Sequence, residues 1–192
     1  MSNILTNIVS SQTAKYGDRE VFRHKESAEG EWIITSWTQF KEQVDAISLA
    51  MATLNLNVQD NVAVFSSNRP EIIISNYAAY ANRAVPVSIY STSSKSQVKY
   101  IINDSKSRIL FVGNAEQFKI AQAVIAECPS IELIVTFDNI AHDDYNGKVL
   151  SFEQMLNLGR KASEECRNEV SRRQKEATEE DIATILYTSG TT

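Results

Sequence analysis

The sequence predicts an α/β fold, with a mainly parallel sheet and flanking helices. Strand-like apolar segments alternate three times with helical segments between residues 61 and 137. The intervals between them suit right-handed βαβ crossovers, which place successive strands parallel in one sheet. Of the 192 residues, 43% are hydrophobic, which is enough to form one domain with an apolar core. Only 22% are charged, and this composition argues against disorder.

The first sixty residues predict two helices separated by an antiparallel ribbon. Apolar residues at helical spacing predict an amphipathic helix over residues 3–15. Val21-Phe22 and Trp32-Ile33-Ile34 predict two short strands, which form an antiparallel ribbon at an edge. Ser36 is a good N-cap, and the apolar residues after it, at intervals of four and three, predict a second helix that ends near Asn55.

Four strands and three helices are then predicted in alternation. The strands cover residues 61–67, 84–90, 108–112 and 131–137, and the helices lie around residues 72–82, 97–102 and 115–128. Asn68 is predicted to cap the first of these helices, with Pro70 near its first turn. Asn114 is predicted to cap the third. Pro86 favours an edge or bulge position for its strand, because proline cannot donate to a ladder.

A polar loop and a long helix are predicted between residues 138 and 175. The loop carries Asp143 and Asp144, but it lacks the ligand spacing and closing glutamate of an EF-hand, so we interpret it as a solvated turn. Ser151 is predicted to cap one long polar helix that continues to Lys175. Its solvated face is expected to carry three oppositely charged i,i+4 pairs: Arg160 and Glu164, Lys161 and Glu165, and Glu169 and Arg173.

The last stretch of the sequence predicts a short buried strand followed by a loop rich in hydroxyl groups. Residues 182–187 are mostly apolar and favour a β-strand. Four hydroxyls and one glycine follow in five positions: Thr188, Ser189, Gly190, Thr191 and Thr192. Glycine lets the backbone approach closely, and N–H and hydroxyl groups donate to phosphate oxygens. Since ligands of parallel sheets bind outside the carboxyl ends of the strands, the loop predicts a phosphate site, with an ordinary turn as the alternative.

Composition and motifs argue against several other classes of protein. A net charge of -5 disfavours a nucleic-acid-binding surface. Cys128 and Cys166 lack the spacing of a zinc site, which favours reduced thiols in a cytoplasmic protein, and His24 and His142 are too isolated for a metal site or a catalytic triad. Neither a secretory signal nor an apolar run of about 18 residues is found, so membrane association is expected to be peripheral at most.

The segment Tyr-Thr-Ser-Gly-Thr-Thr at residues 187–192 resembles the opening half of the phosphate-binding signature of the adenylate-forming, or AMP-binding, superfamily. Four further segments resemble the amino-terminal region of long-chain fatty acid CoA ligases, and we interpret them as scaffold: residues 32–37, 68–71, 85–94 and 100–105. Two positions depart from that pattern, because Ile72 stands where many relatives have Trp and Arg83 stands where many have Gly.

This resemblance implies an ATP-dependent ligase that activates a fatty acid as its adenylate and transfers the acyl group to coenzyme A. Residues 1–192 would form the amino-terminal portion of the large domain, truncated inside its phosphate-binding loop. Residues 188–192 would hold the β- and γ-phosphates of ATP, with a hydroxyl, the candidate being that of Thr188, reaching Mg²⁺. The catalytic residues are expected in sequence beyond this fragment, which is therefore expected to be inactive by itself.

Two alternatives remain open at this point. The chain belongs to an enzyme of the same superfamily that acts on another carboxylic acid, such as an aryl or amino acid, or it is a non-catalytic βα module that binds a nucleotide or a protein partner. A parallel sheet is normally covered on both faces. An apolar face left uncovered by truncation predicts self-association, for which a homodimer is the simplest form.

Overall fold

We analysed a computed structural model of the chain, which describes residues 5–27, 29–140 and 147–188. The predicted α/β class is confirmed. The elements in chain order are α1 Leu5–Tyr16, β1 Glu20–His24, β2 Ile33–Ser36, α2 Trp37–Thr53, β3 Asn61–Phe65, α3 Pro70–Ala81, β4 Val85–Ile89, α4 Lys95–Ser105, β5 Ile109–Val112, α5 Ala115–Val124 with a 3₁₀ turn Ile125–Glu127, β6 Leu133–Thr136, β7 Val149–Ser151, α6 Phe152–Arg160, α7 Glu164–Glu176 and β8 Ile185–Leu186.

The main sheet has six strands in the order β7-β6-β5-β3-β4-β8, and every neighbouring pair is parallel. Side chains alternate between its two faces, as the two-residue period of a strand requires. On one face, Val62, Val64 and Phe111 pack under α1, α2, α3 and α6. On the other face, Phe65 and Leu110 pack under α4 and α5. The result is three layers with a buried apolar core on each side of the sheet.

The ribbon of β1 and β2 is antiparallel as predicted, but it forms a separate two-stranded sheet. It packs against α2, where the ring of Phe22 meets that of Phe40 edge-on at 5.6 Å. A two-stranded ribbon is marginal alone, so this contact with a helix is what supports it. In the part of the chain that is described, no helix has the length and apolar character needed to cross a membrane.

Four helices begin with the same reciprocal arrangement, a capping box closed by glutamine. In each, the N-cap side chain accepts from the N–H three residues on, while that glutamine accepts from the N-cap N–H. The pairs are Ser36 and Gln39, Ser94 and Gln97, Asn114 and Gln117, and Ser151 and Gln154. The caps predicted at Ser36, Asn114 and Ser151 are confirmed, and these boxes fix where α2, α4, α5 and α6 begin.

The predicted start of α3 is wrong by one residue. Arg69, not Asn68, is the N-cap, and it makes no side-chain capping bond. Pro70 explains the shift, because a proline at the first helical position excludes the preceding residue from helical backbone angles. Arg69 accordingly has φ of -162° and ψ of 161°.

Pro86 lies inside the sheet, contrary to its predicted edge or bulge position. β4 has β3 on one side and β8 on the other. The ladder with β8 begins only at Val87, which pairs with Ile185. On that side the carbonyl of Pro86 accepts from the hydroxyl of Thr184 over 2.9 Å. The missing N–H of Pro86 therefore falls just outside the ladder, and no strand bond is lost.

The single helix predicted after Ser151 is two helices, α6 and α7. Ser163 caps α7 by accepting from the N–H of Cys166, which competes with continuation of α6. The expected pairs of Arg160 with Glu164 and of Lys161 with Glu165 span the break, and neither is among the ion pairs of the described residues. Arg160 instead pairs with Glu153 over 3.1 Å.

Two further expectations in this region were incomplete. The pair of Glu169 and Arg173 forms as predicted, over 2.8 Å, but Arg173 is only 8% exposed and does not lie on a solvated face. The loop predicted over residues 138–148 leads into β7, a parallel strand that was not predicted. Asp143 and Asp144 lie outside the described residues.

Candidate functional site

The candidate site begins at β8, the strand that leads into the predicted phosphate loop. Val87 pairs with Ile185 and Ser88 with Leu186, and both pairs are parallel. The chain therefore leaves β8 at the same edge of the sheet as the carboxyl ends of the other strands. The strand was expected to be buried, but Leu186 is 68% exposed because β8 is the outermost strand of the described sheet.

Of the five residues predicted to hold phosphate, the structure describes Thr188. It is exposed and follows Tyr187 at the carboxyl edge of the sheet. Ser189, Gly190, Thr191 and Thr192 lie outside the described residues. The structure thus places the start of the loop where the sequence predicted it, and the phosphate contacts of these residues stay a prediction.

Upstream of β8, Arg83 and Asp181 form a two-pronged ion pair. Nε and Nη2 of Arg83 donate to the two carboxylate oxygens of Asp181, each over 2.8 Å. This contact lowers the pKa of Asp181 and raises that of Arg83. Arg83 has φ of 56°, a left-handed angle that glycine adopts more readily than arginine. The departure from glycine noted in the sequence therefore coincides with a strained backbone position and a new side-chain contact.

Two further contacts hold the segment between Asp181 and β8. The side-chain oxygen of Gln59 accepts from the N–H of Ile182 over 2.9 Å. Thr184 donates its hydroxyl to the Pro86 carbonyl, as described above. Together with the Arg83 contact, they align this segment beside β4 before the ladder starts.

Downstream of β8, Tyr187 is held by α4. Its hydroxyl donates to a carboxylate oxygen of Asp104 over 2.6 Å, and its ring meets that of Tyr100 edge-on at 6.2 Å. Burial, then the negative charge and hydrogen bond of Asp104, raise the pKa of Tyr187. The phenol therefore stays protonated and able to donate across the physiological pH range. Tyr187 precedes the predicted loop directly, and sequence reasoning assigned it no role of its own.

A second feature of this edge is a cavity of about 650 Å³ at the carboxyl ends of β3 and β5. These strands are neighbours, yet the chain leaves them toward opposite sides of the sheet, to β4 and β6. Such a switch point is where parallel sheets commonly bind ligands. The lining residues come from the loops after β3, β5 and β6 and from the end of β1, and include His24, Ser66, Asn68, Gly113 and Phe137.

Arg69 lines this cavity, and four of the five N–H donors of its guanidinium are already used. It donates to both oxygens of Glu71 over 2.8 and 3.0 Å, to Asp138 over 2.7 Å and to the carbonyl of Gly113 over 3.1 Å. Its guanidinium carbon lies 5.4 Å from the ring centre of Phe137. Arg69 therefore braces the loops against one another, which fits the interpretation of residues 68–71 as scaffold.

The described residues hold no group of three or more His, Cys, Asp or Glu side chains that could bind a metal ion. Cys128 and Cys166 are free thiols, and the first is buried.

Comparison with known proteins gives a family match over most of the chain. A model of the family described as AMP-binding enzyme matches residues 9–192. Fatty acyl-CoA synthetase A of Dictyostelium discoideum is 28% identical over 183 residues, which are 92% of this chain and 26% of that protein. The long-chain-fatty-acid–CoA ligase FadD15 of Mycobacterium bovis is 27% identical over 164 residues, which are 85% of this chain and 26% of that protein.

The chain thus spans about a quarter of the length of the curated relatives it matches. Among solved structures, the anthranilate CoA ligase AuaEII, in complex with anthranoyl-AMP, has a TM-score of 0.77 at 18% identity. That similarity covers 98% of this chain and 32% of the ligase. At this identity the comparison shows a shared fold, and it agrees with the parallel sheet described above.

Proposed function

Because the chain belongs to the AMP-binding enzyme family, we propose that it is the amino-terminal part of a larger ligase that joins a fatty acid to coenzyme A with ATP as the energy source. The observation that carries the proposal is the placement of β8. Its parallel pairing with β4 delivers Thr188 to the ligand-binding edge of the sheet, directly after a strand, as a phosphate-binding loop requires.

The proposed reaction has two steps. The carboxylate of the acid attacks the α-phosphorus of ATP, which forms an acyl-adenylate and releases pyrophosphate. The thiol of coenzyme A then attacks the acyl carbon, which releases AMP and forms the thioester. Neither step needs a nucleophile from the protein, so catalysis rests on orienting the reactants and neutralising phosphate charge.

In this proposal the loop of residues 188–192 holds the β- and γ-phosphates of ATP. Its hydroxyls and backbone N–H groups orient the pyrophosphate leaving group, which accumulates negative charge as the bond to the α-phosphorus breaks. The hydroxyl oxygens of the loop also suit Mg²⁺, because this ion prefers oxygen ligands. It usually takes most of them from water and substrate phosphates and only one or two from the protein. A hydroxyl, that of Thr188 being the candidate, would complete its ligands, and the ion would neutralise phosphate charge.

A long-chain fatty acid is the proposed substrate class. The name of the Dictyostelium relative supports a fatty acid, and the name of FadD15 supports a long chain. The residues that select the acid and perform the remaining chemistry are proposed to lie in the other three quarters of such an enzyme. By the same reasoning, the 192 residues alone are proposed to be inactive. The two free thiols support a proposed cytoplasmic location.

The test is pyrophosphate release from ATP by the complete enzyme, with a panel of fatty acids of increasing length and one aromatic acid, each with and without coenzyme A. Release that depends on long fatty acids supports the proposal. Release with the aromatic acid alone would show that the substrate is an aromatic acid and not a fatty acid. No release with any acid from a folded protein would leave the non-catalytic binding module as the better interpretation.

A matched pair of variants connects this test to the loop. Thr188→Val removes the exposed hydroxyl after β8, and Thr184→Val makes the same change before β8, where the hydroxyl bonds Pro86. The first is expected to raise the KM for ATP about tenfold, as for loss of one hydrogen bond to a charged group. The second is expected to lower thermal stability and leave the KM for ATP within about twofold of the wild-type value.

A further inference from the structure

We propose that Tyr187 is a positioning residue for the phosphate loop, acting through its hydrogen bond to Asp104 on α4. This inference rests on the function proposed above. It adds a residue pair that holds the chain at Tyr187, directly before Thr188. The argument starts from how weakly β8 is held by the sheet itself.

The ladder of β8 is short for a strand that must fix a binding loop. It comprises two residue pairs with β4, whereas strands commonly have about five or six residues. Among the described strands, none pairs with the other side of β8. Two pairs at an edge define the direction of a chain poorly, so side-chain contacts on either side of β8 are needed to hold this segment in place.

The side-chain contacts upstream of β8 hold only the segment that enters the ladder. Asp181, Ile182 and Thr184 are held by Arg83, Gln59 and Pro86, all before the ladder begins. Tyr187 lies on the other side of the ladder, one residue from Thr188. Its 2.6 Å hydrogen bond to Asp104 fixes the chain where it leaves the sheet.

The partner of Tyr187 stands on a firmly placed helix. α4 begins with the capping box of Ser94 and Gln97, and its Val98 and Ile102 side chains are fully buried against the sheet. The hydrogen bond to α4 therefore ties Tyr187 to an element that is anchored in the core.

Asp104 also occupies a position that helix stability does not favour. It lies in the last turn of α4, where the helix dipole is negative and a carboxylate is unfavourable. No basic residue lies within that turn, and Lys106 follows it as the C-cap. The hydroxyl of Tyr187 donates to this exposed carboxylate. Asp104 therefore has a role outside α4, whereas it contributes little to the stability of the helix itself.

The test is a double-mutant cycle in the complete enzyme, with KM for ATP and kcat measured by pyrophosphate release at saturating acid. Tyr187→Phe keeps the ring and its contact with Tyr100 but removes the donor, and Asp104→Ala removes the acceptor. Each single change is expected to raise the KM for ATP about fivefold, with a smaller effect on kcat. The double variant is expected to match the singles, because both remove the same hydrogen bond.

Two further variants separate positioning from general damage. Asp104→Asn keeps an oxygen acceptor and is expected to restore most of the affinity for ATP. Tyr100→Phe removes a hydroxyl that has no hydrogen-bond partner among the described residues, and it is expected to leave KM and kcat unchanged. Thermal unfolding of every variant shows whether the effects on KM are matched by effects on stability.

An active wild-type enzyme in which Tyr187→Phe lowers only thermal stability, with an unchanged KM for ATP, would overturn the positioning role and leave the proposed function standing. Additive effects of the two single changes would overturn the coupling through this hydrogen bond. A folded wild-type enzyme that releases no pyrophosphate with any acid would overturn the proposed function, and the positioning role with it.

Discussion

Arg173 donates a hydrogen bond from Nη1 to the side-chain oxygen of Asn82 over 3.2 Å, and both residues are buried. The same nitrogen donates to the carbonyl of Leu56 over 2.7 Å. The amide nitrogen of Asn82 donates in turn to the hydroxyl and carbonyl of Ser48, each over 2.9 Å. One guanidinium therefore joins α7 to α3 and to the end of α2 through a polar network inside the protein.

Loss of Arg173 is expected to cost much more stability than loss of its neighbour. Arg173→Ala leaves Asn82 and the Leu56 carbonyl without their donor, which should lower the free energy of unfolding by about 3 kcal/mol. Arg172 is 54% exposed and pairs with Glu169 and Glu176 at the surface. Arg172→Ala should cost much less, because ion pairs between exposed side chains contribute little to stability. Urea unfolding of both variants measures the difference, and equal losses would contradict the buried network.

The contribution of Glu169 to stability is expected to fall in acid. Hydrogen bonds from Arg172, then Arg173, lower the pKa of Glu169 from 4.5 to about 2. A carboxylate with a lowered folded-state pKa stabilises the protein fully above its unfolded value, and the contribution is lost as the pH falls through the folded value. Glu169→Gln should therefore be less stable than wild type above about pH 5, with a gap that narrows between about pH 4.5 and 2.

Urea unfolding at a series of pH values measures this gap. Glu165→Gln is the control on the same helix, because Glu165 is exposed and forms no ion pair among the described residues. At neutral pH, Glu165→Gln should differ from wild type in stability by less than Glu169→Gln does. A gap for Glu169→Gln that is constant with pH would show that its ion pairs do not stabilise the fold.

At Arg83, the cost of a left-handed backbone angle can be measured separately from the contribution of the ion pair to stability. Arg83→Ala and Arg83→Gly both remove the contact with Asp181, but only glycine relaxes at φ of 56°. Arg83→Gly should therefore be about 1 kcal/mol more stable than Arg83→Ala. Thermal unfolding of the two variants decides the point, and an alanine variant as stable as the glycine variant would refute the strain.

Gly159 permits a close approach between α6 and α2. A Cβ at this position would lie 2.6 Å from the carbonyl carbon of Ala46 and would collide with its oxygen. Gly159→Ala should therefore lower the free energy of unfolding by about 3 kcal/mol. Gly147 is the control, since a Cβ there meets nothing within 4 Å and only its φ of 72° opposes alanine. Gly147→Ala should cost about 1 kcal/mol, as chemical denaturation would show.

Local signals predicted most of the fold. Apolar runs of strand length and caps such as Ser36 and Asn114 act within a few residues, so β3 to β6 and the helices between them could be located from sequence. β7 was missed because its two apolar residues, Val149 and Leu150, become a strand only by pairing with β6. The break before α7 had a local signal, because the capping residue Ser163 is followed by two glutamates. It was missed because the charged residues on both sides of the break are spaced as in one continuous helix.

Long-range contacts could not be predicted from the same patterns. The charge spacing of α7 correctly paired Glu169 with Arg173, but burial of Arg173 depends on Leu56 and Asn82, which lie far away in sequence. At the candidate site, the hydroxyl-rich loop could be recognised from the sequence. The contacts of Arg83 and Asp104 could not, because they form only when β8 lies beside β4. Arg83 had one sequence signal, its departure from the glycine of similar sequences.

The pairing of β8 with β4 also bears on the order in which the protein folds. Arg83 and Asp181 are 98 residues apart, whereas the preceding strand pairings in the sheet join segments much closer in sequence. Loop-closure entropy disfavours the distant pairing until the core between the two segments has formed. The layered core is therefore expected to assemble first and to serve as the template on which β8 docks. Docking of β8 would then appear as a late kinetic phase, after the far-ultraviolet signal of the helices is complete.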